Sequence, residues 1–257
     1  MESLQGSEFI PSDLTPQPNN GAWLRSAARV TLARMIDVNL SGSGGRAGGN
    51  GDFCVLRIEL EGIQPTVWRS VIVPKSAHLG WIHAVIQIAM GWTNSHLHQF
   101  RLGDRLFSDP TFEMNEFEDD PPVTDENTVT VAQVAKGKIP VLVYEYDFGD
   151  SWNHLLTFSP LSEGQTGGED RAVCMGGSRA CPPEDCGGIP GYEDLLEALG
   201  NKKHPEHRAM KQWLGRPYDP EAFAVDKINR CLAKLPWPKV SVSQLGKILA
   251  ALHRAKA

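Results

Sequence analysis

No stretch of this 257-residue chain approaches the roughly 18–20 consecutive apolar residues needed to cross a bilayer. The opening MESLQGSEFIPSDLTPQPNN has neither a basic n-region nor an apolar core, so no secretory signal is read there and the cytoplasm is the expected compartment. Positive charge is also in short supply. Lys and Arg number 25 against 31 Asp and Glu, a formal net charge of −6. Phosphate contacts need clustered basic residues, so broad nucleic-acid binding is not expected. Cysteine is scarce, at five residues, and in a reducing compartment these read as free thiols or metal ligands rather than a disulfide framework. There is no P-loop, GxGxxG fingerprint, GxSxG elbow, HExxH or kinase set. Those absences remove the commonest nucleotide-using and acyl-transfer enzymes.

What is present is an ordinary globular composition, 41% hydrophobic and 22% charged. Residues 1–52 read as a flexible leader and linker: AWLRSAARVTLARMIDV (Ala22–Val38) has the pattern of a short amphipathic helix, and SGSGGRAGGNG (Ser41–Gly51) has nothing to bury. The core domain is placed at 53–160. In CVLRIELEGI, Val55, Arg57 and Glu59 alternate with Leu56, Ile58 and Leu60, the period of a strand. TVWRSVIVP (Thr66–Pro74) follows as the second arm of a hairpin. LGWIHAVIQIAMGW then has Leu79, Ile82, Ile86 and Met90 at helical spacing, with Gly91 at the end. HLHQFRLGDRLF (His96–Phe107) predicts a strand and a turn at Gly103-Asp104, the acidic run Glu113–Asp120 a solvated loop, and Thr128–Ala135 a short strand or helix start. PVLVYEYDFGDSWNHLLTFSP predicts strands at Val141–Tyr146 and His154–Phe158. A hairpin, one packed helix and further strands make an α+β domain with a single, mainly antiparallel sheet, β-grasp-like in outline.

Residues 161–238 read as a Gly/Pro/Cys loop, irregular over Ser162–Gly191, and a helical extension packed on the core. Helices are expected at Tyr192–Asn201, at Pro205–Gly215 and at Asp219–Leu235, the last with Asp219 as N-cap and Pro220 at N1. Residues 239–257 form a tail whose short helix would fray if exposed.

IELEGIQPTVWRSVIVP, LGWIHAVIQIAMGWTNSHLHQF, YEYDFGDSWNH, RACPPEDCGGIPGYEDLLEAL and HPEHRAMKQWLG with YDPEAFAVDKINRCL occur in that order over about residues 54–235. Together they resemble the Ri-plasmid ORF-three-like family, whose members are also labelled transposon-passenger TnpR-type proteins. The resemblance implies a mobile-element setting and no particular reaction. No serine-resolvase signature accompanies it.

Three groups of residues carry candidate chemistry. Asp147, Asp150 and His154 surround the turn of YDFGDSWNH, where oxygen and imidazole ligands can hold a cation or serve as a general base; Asp and Gly are equally the standard residues of a tight turn. His96 and His98, at i and i+2 of a strand, share a face and with His83 and His154 offer imidazoles to zinc, or stand as half-exposed strand residues. Cys174, Cys181 and Cys186, spaced C-x6-C-x4-C with His204 and His207 following, supply ligands for a structural zinc ion, or pack as small apolar side chains. Trp68, Arg69 and Trp152 are candidate ligand-binding residues. Glu184 and Asp185, ahead of a helix, have a sufficient role at its N-terminus. The leading expectation is a binding or adaptor module that recognises a protein or small ligand. The alternative is a metal-dependent hydrolase or nuclease working through Asp147, Asp150 and His154; a third, DNA binding, requires a basic face.

Overall fold

The computed structural model describes residues 52–112, 122–136, 141–165 and 171–254. The segments read as leader and linker and the acidic run after Phe112 lie outside the described residues. β1 (Phe53–Leu60) buries Cys54, Leu56, Ile58 and Leu60 and leaves the alternate side chains half-buried. This is the alternation of its sequence. β2 (Trp68–Pro74) pairs with it antiparallel, Glu59 opposite Trp68 and Phe53 opposite Pro74. β3 (His98–Leu102) and β4 (Arg105–Ser108) form the hairpin at Gly103-Asp104, and β5 (Val123–Asp125) runs parallel to β4. β6 (Leu142–Tyr146) and β7 (Trp152–Ser159) form a third hairpin, with Tyr144 opposite His154.

β8 (Val173–Ser178) then pairs with β2. The strand order is β5-β4-β3-β6-β7-β1-β2-β8, one mainly antiparallel sheet in an α+β chain. It is wider than the β-grasp-like unit expected. The segment around Cys174 was read as irregular because its glycines carry no β propensity. The exposed backbone edge of β2 supplies the missing incentive, since unpaired N–H and C=O groups there need partners.

α1 (Leu79–Met90) is terminated by Gly91 at φ 96°, whose N–H reaches Gln87 O at 2.9 Å. Every residue of α1 except Gly80 is buried. A helix with this much apolar surface needs cover on more than one side. The sheet covers one side; α5 (Val225–Leu232) and α6 (Val242–Arg254) also pack on it. Trp81 stands edge-on to Trp237 at 5.1 Å and donates to Pro236 O. α2 (Val131–Val134) is a single turn begun by a capping box at Thr130 and Gln133.

Beyond the sheet, α3 (Gly188–Gly200) and α4 (His207–Leu214) fall where helices were expected. α5 does not. It starts six residues after Asp219, which instead accepts a hydrogen bond from Glu221 N in a turn. Residues 220–223 are drawn onto the edge of β8: Pro220 O accepts from Ala180 N, and the Phe223 ring lies against Gly177, where any Cβ would strike it at 2.5 Å. Tertiary cover of an edge strand outweighs a good N-cap pair. The tail is a docked helix with its apolar face covered. Ser241 and Gln244 form its capping box, Leu245, Ile248, Leu249 and Leu252 are buried, and His253 Nε2 donates to Gly91 O at 2.9 Å. Among the described residues no helix is long and apolar enough to cross a membrane.

Candidate functional site

Polar side chains enter the core where α1 crosses β3 and β6. Gln87 Nε2 donates to Tyr144 Oη, which donates to His83 Nδ1; His83 Nε2 donates to Asn94 Oδ1; and Asn94 N–H donates to Gln87 Oε1. The four residues close a hydrogen-bonded ring with one self-consistent direction, which fixes His83 as the neutral Nε2–H tautomer. Burial, helped by repulsion from His98, lowers the His83 pKa to about 3. The Tyr144 phenol is pushed well above its ordinary value by burial. Tyr144→Phe strands the Gln87 donor and the His83 acceptor together, so a loss of about 2–4 kcal/mol in urea unfolding is expected. A variant as stable as the parent would show that the ring contributes nothing.

Beside this ring lies a cleft of about 460 Å³. Its floor holds His98, stacked on His83 with ring centroids 3.5 Å apart, and Glu126, whose Oε2 lies 2.9 Å from His98 Nε2. Both side chains are almost wholly enclosed, 3% and 4% exposed. Burial holds His98 down at about 3. Burial pushes the Glu126 carboxyl up to about 7, with the charges of Asp109 and Asp125 adding to the rise and His83 opposing it. Gly80 makes room for this pair, since a Cβ there would meet Asn127 Oδ1 at 2.5 Å and Glu126 Oε1 at 2.9 Å. Leu97, Phe112, Val242 and Leu245 give the cleft apolar walls, and Asp109 adds a second carboxylate. No Lys or Arg is among its described lining residues.

His96 lines the same cleft and also meets a second group. Its Nε2 lies 3.0 Å from Asp185 Oδ1, 3.6 Å from Asp147 Oδ2 and 3.9 Å from Glu184 Oε2. Three separate segments bring these groups together. Asp147 sits in the β6–β7 turn at φ 59°, its Oδ1 accepting from Gly149 N and Asp150 N. Asp150 Oδ2 accepts from Gly187 N, and Gly188, at φ 66°, comes so near Asp150 O that a Cβ would be 2.8 Å away. This clamp seats the PPEDCGG loop on the turn. Glu184 is anchored by Thr93 N at 2.6 Å and by Tyr146 Oη at 3.1 Å.

The residues singled out in the sequence are therefore divided. Asp147 and Asp150 reach the rim. His154 does not: it faces inward on β7 with no exposed surface, its Nδ1 donating to Tyr144 O and its ring edge-on to Trp92. The alternation of Trp152, His154 and Leu156 was the signal for that. His96 lies just ahead of β3, which begins at His98, and both line the cleft. Trp152 is buried, and Arg69 is buried with its guanidinium spent on four carbonyl oxygens, of Trp68, Ala89, Ser178 and Arg179. Trp68 is half-buried under the Arg57 guanidinium at 3.9 Å.

Cys174, Cys181 and Cys186 are free thiols, all pushed up by burial, Cys186 to about 12. Among the described residues the group of three ligand atoms is His96, Asp147 and Asp185, and it includes none of these thiols. His204 and His207 bond locally, to Glu206 N and Ala198 O. Glu126 and Asp109 were missed, because no spacing in the sequence links them to His98. Glu184 and Asp185 were noticed but read only as helix-terminal charge.

The fold and this site define an α+β protein with a polar cleft beneath one end of its helix. The family model for plasmid pRiA4b ORF-3-like proteins matches residues 52–227, and the chain belongs to that family. It is 34% identical over 185 residues to the uncharacterized protein y4hQ of Sinorhizobium fredii (strain NBRC 101917 / NGR234), covering 70% of this chain and 90% of that one. It also resembles the crystal structure of a protein of unknown function, MM3350, from Methanosarcina mazei Go1. That match has a TM-score of 0.56 and 29% identity, covering 68% of this chain and 96% of the other. The transposon-passenger label has no counterpart in these matches.

Proposed function

We propose that this protein is a binding module for a small organic cation, an ammonium group on an apolar body, held in the cleft between α1, β3 and the start of α6. The observation that carries this is the pairing of an acidic floor with apolar walls. Glu126 and Asp109 offer acceptors, Phe112, Leu97 and Leu245 offer contact, and no described lining residue supplies a competing Lys or Arg. An alkylammonium brings three donors to such a floor, and the volume is within the ordinary range for a ligand pocket. Phenethylamine and its neutral analogue 2-phenylethanol serve as probes in isothermal titration. The amine is expected to bind one per chain and at least about tenfold more tightly than the alcohol, a difference of about 1.4 kcal/mol. Glu126→Gln combined with Asp109→Asn should erase that difference. Equal affinities for the two probes, or no saturable binding of the amine, defeats the reading.

A metal-dependent hydrolase is the second reading. In its favour is a carboxyl held near 7 beside an imidazole in a cleft, the poise of a general acid–base group. Its working pair is Glu126 and His98 rather than Asp147, Asp150 and His154. Turnover of bis(p-nitrophenyl) phosphate by the zinc-loaded chain, abolished by Glu126→Gln, is the result that would place reaction ahead of binding.

A further inference from the structure

We propose that His96, Asp147 and Asp185 form a divalent-cation site. The site shares His96 with the cleft but does not require a particular cleft ligand. The three ligand atoms lie within 4.8 Å of one another. Four ligands at about 2.1 Å from a tetrahedral zinc ion stand about 3.4 Å apart. The separations of 3.0 Å to Asp185 and 3.6 Å to Asp147 from His96 Nε2 bracket that value.

Two further observations distinguish this from an ordinary acidic surface. His96 Nε2 is enclosed yet makes no hydrogen bond, despite three carboxylates around it. An imidazolium serving only as counter-ion would aim its N–H at one of them. Asp147, second, is nine-tenths buried; its Oδ1 is held by backbone N–H groups, while no hydrogen bond to its Oδ2 is present and that oxygen faces His96. The carboxylate is thus anchored through Oδ1 and keeps Oδ2 as a ligand atom. Among the described residues no Lys or Arg forms an ion pair with Asp147, Glu184 or Asp185, and a single imidazole, His96, faces all three carboxylates.

One imidazole with carboxylate oxygens suits zinc better than calcium. Asp185, 69% exposed, leaves the outer side open to solvent or to a ligand oxygen. The Glu184 bonds to Thr93 and Tyr146, and the Asp150 bond to Gly187, fix the loop around the ion as an outer shell fixes metal ligands.

The test is equilibrium dialysis of the untagged full chain, stripped with chelator, against Zn²⁺ alone, with elemental analysis of the bound metal. One zinc per chain is expected. His96→Ala and Asp147→Asn should each weaken it at least about 30-fold, and Asp185→Asn, an exposed change that leaves the fold intact, at least about fivefold. Cys181→Ser should bind as the parent does. No stoichiometric zinc, undiminished binding in Asp185→Asn, or loss in Cys181→Ser alone overturns the assignment.

Discussion

Lowering the pH from 7 to 4.5 is expected to remove on the order of 5 kcal/mol of stability, comparable to the whole margin of a small fold. The cause is three histidines buried as neutral rings. His83 and His98 stay neutral down to about 3 and His154 to about 4, whereas each takes up a proton near 6.5 once unfolded. Below 6.5 the unfolded chain binds more protons than the folded one, so stability falls as the pH falls and continues to fall until the folded values are reached. Each ring contributes about 1.4 kcal/mol per pH unit over that window.

Glu126 runs the other way. Its folded value of about 7 exceeds the unfolded 4.5, so between those values the folded chain holds a proton that the unfolded chain has released. Acidification through that window therefore favours folding and offsets about one of the three rings. Urea midpoints measured from pH 8 to 4.5 should fall steeply below 6, and Glu126→Gln should be selectively stabilised at pH 8. A flat profile between 7 and 5 would mean that these rings are not sealed.

Arg69→Met should be the most damaging single substitution away from the cleft. The guanidinium lies inside the protein, 3% exposed, and ties α1 through Ala89 O to β2 through Trp68 O and to β8 and the residue after it through Ser178 O and Arg179 O. Its positive charge is compensated by these carbonyl dipoles, one of them at the C-terminal end of α1 where a helix favours a cation. It also sits 4.9 Å over the Phe223 ring. Methionine replaces the stem but leaves four acceptors without donors, a cost of at least about 4 kcal/mol. Arg69→Lys keeps the charge but cannot reproduce the planar fork, and should recover less than half of the loss. Urea unfolding reads both. If Arg69→Met costs under 1 kcal/mol, the four bonds are incidental.

The helix at Leu79–Met90, the β1–β2 and β3–β4 hairpins and the α+β class were legible because each is written in local periodicity and turn chemistry. β1 could be read because Leu56, Ile58 and Leu60 alternate with polar residues, and a period of two has one meaning in a half-buried strand. β8 was not legible: VCMGGS has no strand pattern, and only the open edge of β2 makes it one. Asp219-Pro220 looked like a helix start by every local rule and was overruled by the edge it covers.

The same division runs through the site. The sequence by itself placed Asp147 and Asp150 on a turn and put His98 on a strand. Only the tertiary structure left the thiols outside the ligand group that the described residues form, paired Glu126 with His98, and carried Glu184 and Asp185 to His96. The physical reason is one of range. Periodicity and turn propensity act over a few residues, whereas these partners lie 28 to 89 positions apart in the chain. Their meeting is set by which sheet edges, helix faces and loop clamps must be satisfied at once.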